Sequence, residues 1–502
     1  MPASVPRVAA LLCVLAAPSA LAMPLSLPFL PAGARADLDG KLEFLDVERT
    51  DSQSPYQNPQ GKLRLHLTTD FNANVRFVSD VTGTAGGTPR NPSGAGVYDF
   101  GHVKQDISPS LEFGEAYLQV ETARFDFRAG IQKFAWGKLD EPDAAEQAPN
   151  DLLSPQKFYD PLLEEENDRK IGVPALSSTA YLPSSSSPYL PSDVHLTLVW
   201  LPIYVPYLFP DQDERWYPPV ARVPPESEVN GVTVQNQSTF TNARVPARTL
   251  EHGTFAVRLS GLAAGADFAL YYFDGYDPSP SLDASAQGFV RLDPLSPQRI
   301  QARSEVDVFP LFRRIHTVGG DLAYRVFGAT LRVEAAYVDG RGYVRNLQDV
   351  VATEQIGPID PGLLLSGQEQ PVTVTLNTVN LRRDAIEWGA GGDGFIGDTF
   401  VLVQVNQTAV LHNDVNLFIS DTETRFSTLL RQNYLDDRLR AELLGLYGMQ
   451  GVYGMAEPRL TYSIGDHLDV RVGYVVIAGH ENSVVGQYHH NDEAYVRLRF
   501  LF

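Results

Sequence analysis

The chain of 502 residues contains a single cysteine, Cys13, which lies in an apolar stretch close to the N-terminus. Outside that stretch no disulfide framework, thiolate ligand or thiol nucleophile is possible. Basic residues are also scarce. Lys and Arg number 40 against 61 Asp and Glu, a net charge of −21, and this argues against a nucleic-acid partner. Beyond residue 22 no run approaches the roughly 18 apolar residues that a membrane-crossing helix needs. The sequence has no Gly-x-Ser-x-Gly elbow, no His-Glu-x-x-His and no glycine-rich phosphate loop after a strand. Its ten histidines are scattered, with His316 on a strand and His480, His489 and His490 near the C-terminus. No catalytic residue, metal site or cofactor is expected. The aromatic content is 22 Tyr and 25 Phe against 4 Trp, which suits β structure.

The first 22 residues read as a secretory signal peptide. Arg7 precedes the apolar run Val8–Ala17, and Ala20-Leu21-Ala22 forms an A-x-A cleavage site. Leu12 occupies the position where a lipoprotein signal at Cys13 needs a small residue. The expected organisation is a signal peptide over 1–22, a short periplasmic segment over 23–36 and one β domain over 37–502.

Period-two alternation dominates that domain. At its end Ala494, Val496, Leu498, Phe500 and Phe502 share one parity, with Tyr495, Arg497 and Arg499 on the other. Leu63, Leu65 and Leu67 oppose Lys62, Arg64 and His66. Phe125, Phe127, Ala129 and Ile131 oppose Arg124, Asp126, Arg128 and Gln132. Leu331, Val333, Ala335 and Tyr337 oppose Arg332 and Glu334. Such strands have one apolar and one charged face. Arginines and glutamates on the second face require water there, so a barrel with lipid outside and water inside satisfies both faces.

Tight turns (69–72, 121–123, 262–265, 327–329, 436–437, 464–467) alternate with long loops (82–109, 136–169, 202–252, 275–312, 339–381, 479–492). That asymmetry predicts a transmembrane antiparallel up-and-down β-barrel with short periplasmic turns and long extracellular loops. The strand count is eighteen. The weaker segments 170–181 and 384–391 leave sixteen as the alternative. Nothing before residue 38 is long enough for a plug domain.

One segment carries a family resemblance. Gly130-Ile131-Gln132-Lys133-Phe134-Ala135-Trp136-Gly137, then Asp140, then Pro149-Asn150-Asp151-Leu152 resembles a pattern in large porin-like outer-membrane families. In those a strand ends in Trp-Gly and a loop with an Asn/Pro-Asp-Leu element follows. The strand with Glu115-Ala116-Tyr117-Leu118 fits as well. The group includes exporters of acidic polysaccharide such as alginate, phosphate-selective porins and uncharacterised relatives. Because Asn and Pro stand here in the order Pro149-Asn150, no binding role is carried over. The terminal Phe502 similarly resembles the signal read by the barrel-assembly machinery.

Trp136 is expected at the membrane interface as an amphipathic anchor, with substrate stacking as the alternative, and Gly137 as the residue that turns the chain. The loop from Lys138 to Arg169 is rich in acid. Asp140, Asp143, Glu146, Asp151, Glu164, Glu165 and Glu166 are candidates for a constriction folded into the lumen, with a solvated loop as the plain reading. Arg124, Arg128, Arg332, Arg425, Arg431, Arg440, Arg459, Arg471, Arg497 and Arg499 are the candidate lumen wall. An acidic loop facing these arginines would set a transverse field across the pore.

The function expected is passive diffusion of small hydrophilic solutes or ions across a bacterial outer membrane. Alternatives are a substrate-specific transporter, for example of anionic saccharide, and a non-conducting adhesion barrel. The partners expected are lipid, lipopolysaccharide, the assembly machinery, solutes and, in an oligomer, further copies of the chain.

Overall fold

The computed structural model describes residues 23–24, 34–50, 60–86, 110–139, 148–157, 169–183, 191–207, 216, 225–229, 232–240, 243–293, 296–346, 355–376, 378–481 and 483–502. Eighteen strands form one antiparallel barrel. They are β1 Arg35–Arg49, β2 Gln60–Asp70, β3 Val75–Gly86, β4 Ser110–Glu121, β5 Phe125–Gln132, β6 Val173–Tyr181, β7 Ser192–Leu201, β8 Thr254–Ala263, β9 Ala266–Tyr276, β10 Arg314–Val326, β11 Ala329–Val344, β12 Asn380–Ile396, β13 Thr399–Val410, β14 Thr422–Tyr434, β15 Leu439–Gly448, β16 Tyr453–Ile464, β17 Leu468–Gly479 and β18 Glu493–Leu501. Each strand pairs with its sequence neighbours, and β18 pairs with β1 to close the ring. All eighteen segments read from the sequence fall on these strands, including 170–181 and 384–391.

The two ends of the barrel differ as expected, except that the turn-end link from β6 to β7 takes 182–191 and the loop-end link from β15 to β16 only 449–452. At one end the chain reverses in a few residues. Ala264–Gly265 and Phe327–Gly328 have positive φ at both positions, the turn whose twist matches a two-residue hairpin. The faces also divide as the parity requires. Leu118, Phe127, Leu198, Leu270, Val318, Leu322, Val333 and Val403 are exposed on the outside, whereas Glu43, Asp80, Asp126, Glu334, Glu442 and Arg497 are buried inside. One register shift lies between Asp80 and Val81, whose partners are Glu115 and Phe113. The extra residue, Gly114, is a β-bulge that lets both Phe113 and Leu118 face outward.

At the other end the structure corrects the sequence reading. The segments taken as irregular loops over 202–252, 275–312 and 339–381 build a second, six-stranded sheet. Its order is 355–356, 370–375, 281–293, 296–311, 232–240 and 226–229. The pairing of 232–240 with 296–311 is parallel. Ile300, Ala302, Ser304, Val306 and Val308 alternate with Gln301, Arg303, Glu305 and Asp307, so these segments carry the same period as the barrel. Val234, Val290, Ala302 and Val372 form part of the sheet's core.

Buried polar contacts tie this sheet to the barrel. Asn380 donates through Nδ2 to Leu282 O at 3.1 Å, and Arg341 donates through Nε to Asp277 Oδ2 at 2.7 Å. On its surface the Arg303 guanidinium binds Glu369 at 2.8 Å and 3.0 Å. That bond holds the Glu369 carboxyl below the usual carboxylate range.

The closing seam has a tight fit. Gly40 and Phe502 exchange backbone hydrogen bonds of 2.8 Å and 3.0 Å. A Cβ at position 40 would lie 2.4 Å from the Phe502 ring, so the ring occupies space that only glycine leaves open. Past the end of β18, Met23–Pro24 pairs with Leu38 and Asp37 and continues the edge. Gly40→Val is therefore expected to destabilise the seam by about 1–3 kcal/mol, the usual cost of overpacking. For protein refolded in detergent, without the assembly machinery, heat-modifiable migration on gels would report a smaller folded fraction, restored in part by adding Phe502→Ala. Migration identical to the wild type would show that the ring does not seal the seam.

Candidate functional site

Inside the barrel the walls are of two kinds. Along β6–β11 the inward residues towards the long-loop end are apolar: Val173, Val199, Ala256, Ala269, Phe273, Ile315, Ala336 and Val338 are all buried. They are covered by the segment that leaves β5, which turns into the lumen. Trp136, Leu152 and Leu153 belong to the same apolar cluster, with Phe134 packed against it.

Trp136 is only 8 % exposed, and its ring lies 5.6 Å from Tyr271 and 6.4 Å from Phe134. The expectation that it anchors the barrel at the membrane surface is thus overturned. The strand ends at Gln132, and the chain bends inward before the indole can reach an interface.

A carboxylate on the wall receives the segment. Glu334, on β11, is fully buried. Its Oε2 accepts hydrogen bonds from the backbone N–H of Lys138 at 2.8 Å and of Leu139 at 3.3 Å. Its Oε1 accepts from the N–H of Asn150 at 2.9 Å and from Asn150 Nδ2 at 3.0 Å. Beside it, Gly137 N–H donates to Tyr271 Oη at 3.2 Å, and that hydroxyl donates to Asp321. Asp321 and Glu334 stand directly opposite each other in the β10–β11 ladder.

Within the segment, Asp151 accepts from Trp136 N–H at 3.1 Å and forms a buried ion pair with Lys170. The Pro149-Asn150-Asp151-Leu152 element therefore has a structural task, closing the segment on itself and on the wall. Sequence reasoning singled out the element but missed Glu334, Tyr271, Asp321 and Lys170 as its partners. The signal for Glu334 was its inward parity between Val333 and Ala335.

Of the candidate constriction residues only Asp151 lies among the described residues. It is buried inside the segment and presents no charge to the lumen. Asp140, Asp143, Glu146, Glu164, Glu165 and Glu166 fall outside the described residues.

Nine of the ten candidate arginines point inward from strands. Arg124 is the exception. It sits in the turn before β5, where Thr122 Oγ1 accepts from the Phe125 N–H at 3.0 Å and starts the strand one residue later. The rest are mostly interleaved with acids. Arg459 contacts Glu442 at 2.9 Å and Glu457 at 3.7 Å. Arg497 and Arg499 approach Glu43 at 3.6 Å and 3.5 Å. Arg128 pairs with Asp126 at 2.9 Å, and Arg332 pairs with Asp393.

Arg471 faces Arg497 in the β17–β18 ladder and donates to Thr461 Oγ1 at 3.0 Å. Arg431 lies 4.6 Å from the centroid of Phe400, and Arg425 and Arg440 continue this side on β14 and β15. In an eighteen-strand ring β18 and β1 lie nine strands from β9 and β10, so the arginine-rich wall faces the wall that the inward segment covers. Among the described residues no group of three or more His, Cys, Asp or Glu side chains could hold a metal ion.

No protein-family model and no curated protein matches the chain. Solved structures do. Acinetobacter baumannii OccAB4 is 9 % identical, with 95 % of this chain and 100 % of that one covered and a TM-score of 0.45. Pseudomonas aeruginosa OpdK with vanillate is 9 % identical, covering 94 % and 98 %, at a TM-score of 0.46. Salmonella typhi OmpF in complex with daunomycin is 11 % identical, covering 94 % and 98 %, at 0.40.

The clasp depends on Gly137, whose φ is +99° and whose added Cβ would meet both Glu334 carboxylate oxygens at 2.8 Å. Gly137→Ala should cost about 1–3 kcal/mol through backbone strain alone and push the segment off the wall. Trp136 fluorescence, isolated by difference from Trp136→Phe, should shift to the red and become accessible to iodide. An indole equally shielded in both proteins would count against this account.

Proposed function

We propose that the protein is a channel of the bacterial outer membrane through which small hydrophilic solutes and ions diffuse down their gradients. The observation that carries this reading is the division of the closed barrel into an apolar, exposed outer face and an inner face of Arg, Asp and Glu. Leu, Val and Phe belts on the outside are stable in lipid, while the inner charges need water or one another. Eighteen strands leave room for an aqueous passage where eight would be filled by side chains. The membrane partners are then lipid and lipopolysaccharide around the belt. The leader over 1–22 directs export, and the assembly machinery takes up the chain through its last strand, closed by Phe502. Pairing with further copies is open to the belt.

Within the channel the arginine-rich wall of β14–β18 sits opposite the inward segment. With the acids Asp140, Asp143, Glu146, Glu164, Glu165 and Glu166 turned towards it, that segment would narrow the passage and set a field across it. A more selective reading, passage of anionic solutes such as acidic saccharides, draws support from Arg459, Arg471, Arg497 and Arg499 lying on three adjacent strands.

Single-channel recording across a salt gradient tests the proposal. Discrete conductance steps are expected, and Arg471→Gln should move the reversal potential towards cation preference. Folded barrels that never conduct would favour an adhesion or structural role instead. The membrane assignment has its own test. Leu498→Arg, on the outer face near mid-strand, should cost about 2–4 kcal/mol of folding stability in bilayers. If the substitution were neutral in lipid, the outer face would not be a lipid face.

A further inference from the structure

The inward segment could be a fixed part of the wall or a flap held by specific bonds, and the geometry distinguishes the two. Its descent from β5 ends on four hydrogen bonds to one carboxylate, that of Glu334. Both oxygens accept twice, so the donors at Lys138, Leu139 and Asn150 gather stretches of chain on either side of residues 140–147 into one point. The two stretches have a link of their own in the Trp136–Asp151 bond, but it closes the segment on itself. The wall also presents Asp321 directly across from Glu334. Two carboxylates opposed on one face of a ladder repel each other, and the backbone N–H groups of the segment supply the compensating positive dipoles.

We propose that Glu334 is the positioning residue that sets the aperture of the channel, by holding the stretches 136–139 and 148–152 against the β9–β11 wall. The inference rests on the channel reading above and specifies how its narrowest part is made. Glu334→Gln keeps the side-chain shape but replaces one twofold acceptor with a donor, which would face two N–H donors whichever way the amide is turned. Glu334→Asp keeps both acceptors and shortens the reach.

A covalent substitute for the clasp is available because the only native cysteine, Cys13, lies within the leader reading. Gly319 on β10 is close to Asn150. A Cβ at 319 would lie 1.9 Å from Asn150 Oδ1 and 2.7 Å from the Ala335 carbonyl oxygen, so the two positions adjoin, and a small backbone shift at 319 admits a cysteine beside one at 150.

The experiment measures conductance in planar bilayers and the size limit for neutral sugars in proteoliposome swelling, both per folded barrel. Glu334→Gln should conduct more than the wild type and admit larger sugars, with Glu334→Asp intermediate. Adding Asn150→Cys and Gly319→Cys should return both readouts towards the wild type when oxidised and release them under reductant. A substitution that only weakened the fold would lower the amount of barrel without enlarging the pore, and no disulfide would reverse the change.

Equal conductance and size limit in wild type and Glu334→Gln would overturn the inference while leaving the channel reading intact. A silent wild type with a conducting Glu334→Gln would support the clasp and show that the resting barrel is shut. Silence in both would overturn the clasp and the channel together. Should Glu334→Gln fail to fold, Glu334→Asp decides in its place. A size limit above that of the wild type, reversed by oxidising the added Asn150→Cys and Gly319→Cys pair, supports the proposal, and a size limit equal to the wild type overturns it.

Discussion

A ring of strands closed on itself gives every side chain only two directions, and the rest of this structure follows from that constraint. With no free edge, the backbone N–H and C=O groups of each strand pair with strands on both sides, and the chain can turn one complete face to a solvent of its own. The outer choice is apolar almost without interruption. Charges then have nowhere to go but inward, where they meet in cross-strand pairs. Arg459 lies directly opposite Glu442, and Glu43 lies opposite Arg499. Buried ion pairs of this sort contribute little net stability, because the cost of desolvating both charges offsets their attraction. Their consequence is a lumen whose charges are held in place.

The same constraint explains why the inner wall is not uniform. A lumen filled with water throughout has no use for Val199, Ala269, Phe273 or Val338 facing inward, yet all are buried. They are covered because the segment after β5 lies on them. A second apolar patch, at the long-loop end of β1 and β15–β18, holds Leu45, Met455, Val475 and Ile477. Trp216, Val485 and Tyr488 come down from the loops to meet it. The loops thus fold into the mouth from two sides, on apolar ground prepared for them. Opposed carboxylates such as Asp321 and Glu334 would be a fault in a bare wall and become a receptor once backbone N–H groups are laid across them.

Most of the barrel was legible in the sequence because parity is a local property. Leu331 to Tyr337 announce a strand, its outer face and its inner Glu334 without reference to any other segment. The second sheet was not legible in the same way. The strand 296–311 alternates as cleanly as any barrel strand, but its partner 232–240 is distant in sequence, as is 370–375, the partner of its hairpin neighbour 281–293. It has few of the large aliphatic and aromatic residues that mark a lipid face. The clasp was hidden for a different reason. Glu334 and Asn150 are separated by 184 positions, and nothing in either neighbourhood specifies the other. The motif around Asn150 could be noticed, but its partner emerges only when β11 is placed beside the returning segment.

One further signal was present and readable. Where a strand faces lipid on one side and water on the other, it alternates along its whole length. Where a loop covers the inner face, alternation fails and both parities turn apolar. Leu198-Val199-Trp200-Leu201, Leu270-Tyr271-Tyr272-Phe273, Ala335-Ala336-Tyr337-Val338 and Tyr474-Val475-Val476-Ile477 are four such runs, at the middle or in the long-loop half of strands that run towards the long-loop end. Each coincides with an inner surface that a loop covers. In a barrel the loss of period two is therefore information about the lumen. It marks where the chain returns inside: Glu334, just below one such run, receives the returning chain, and Arg471, below another, lies where the passage remains.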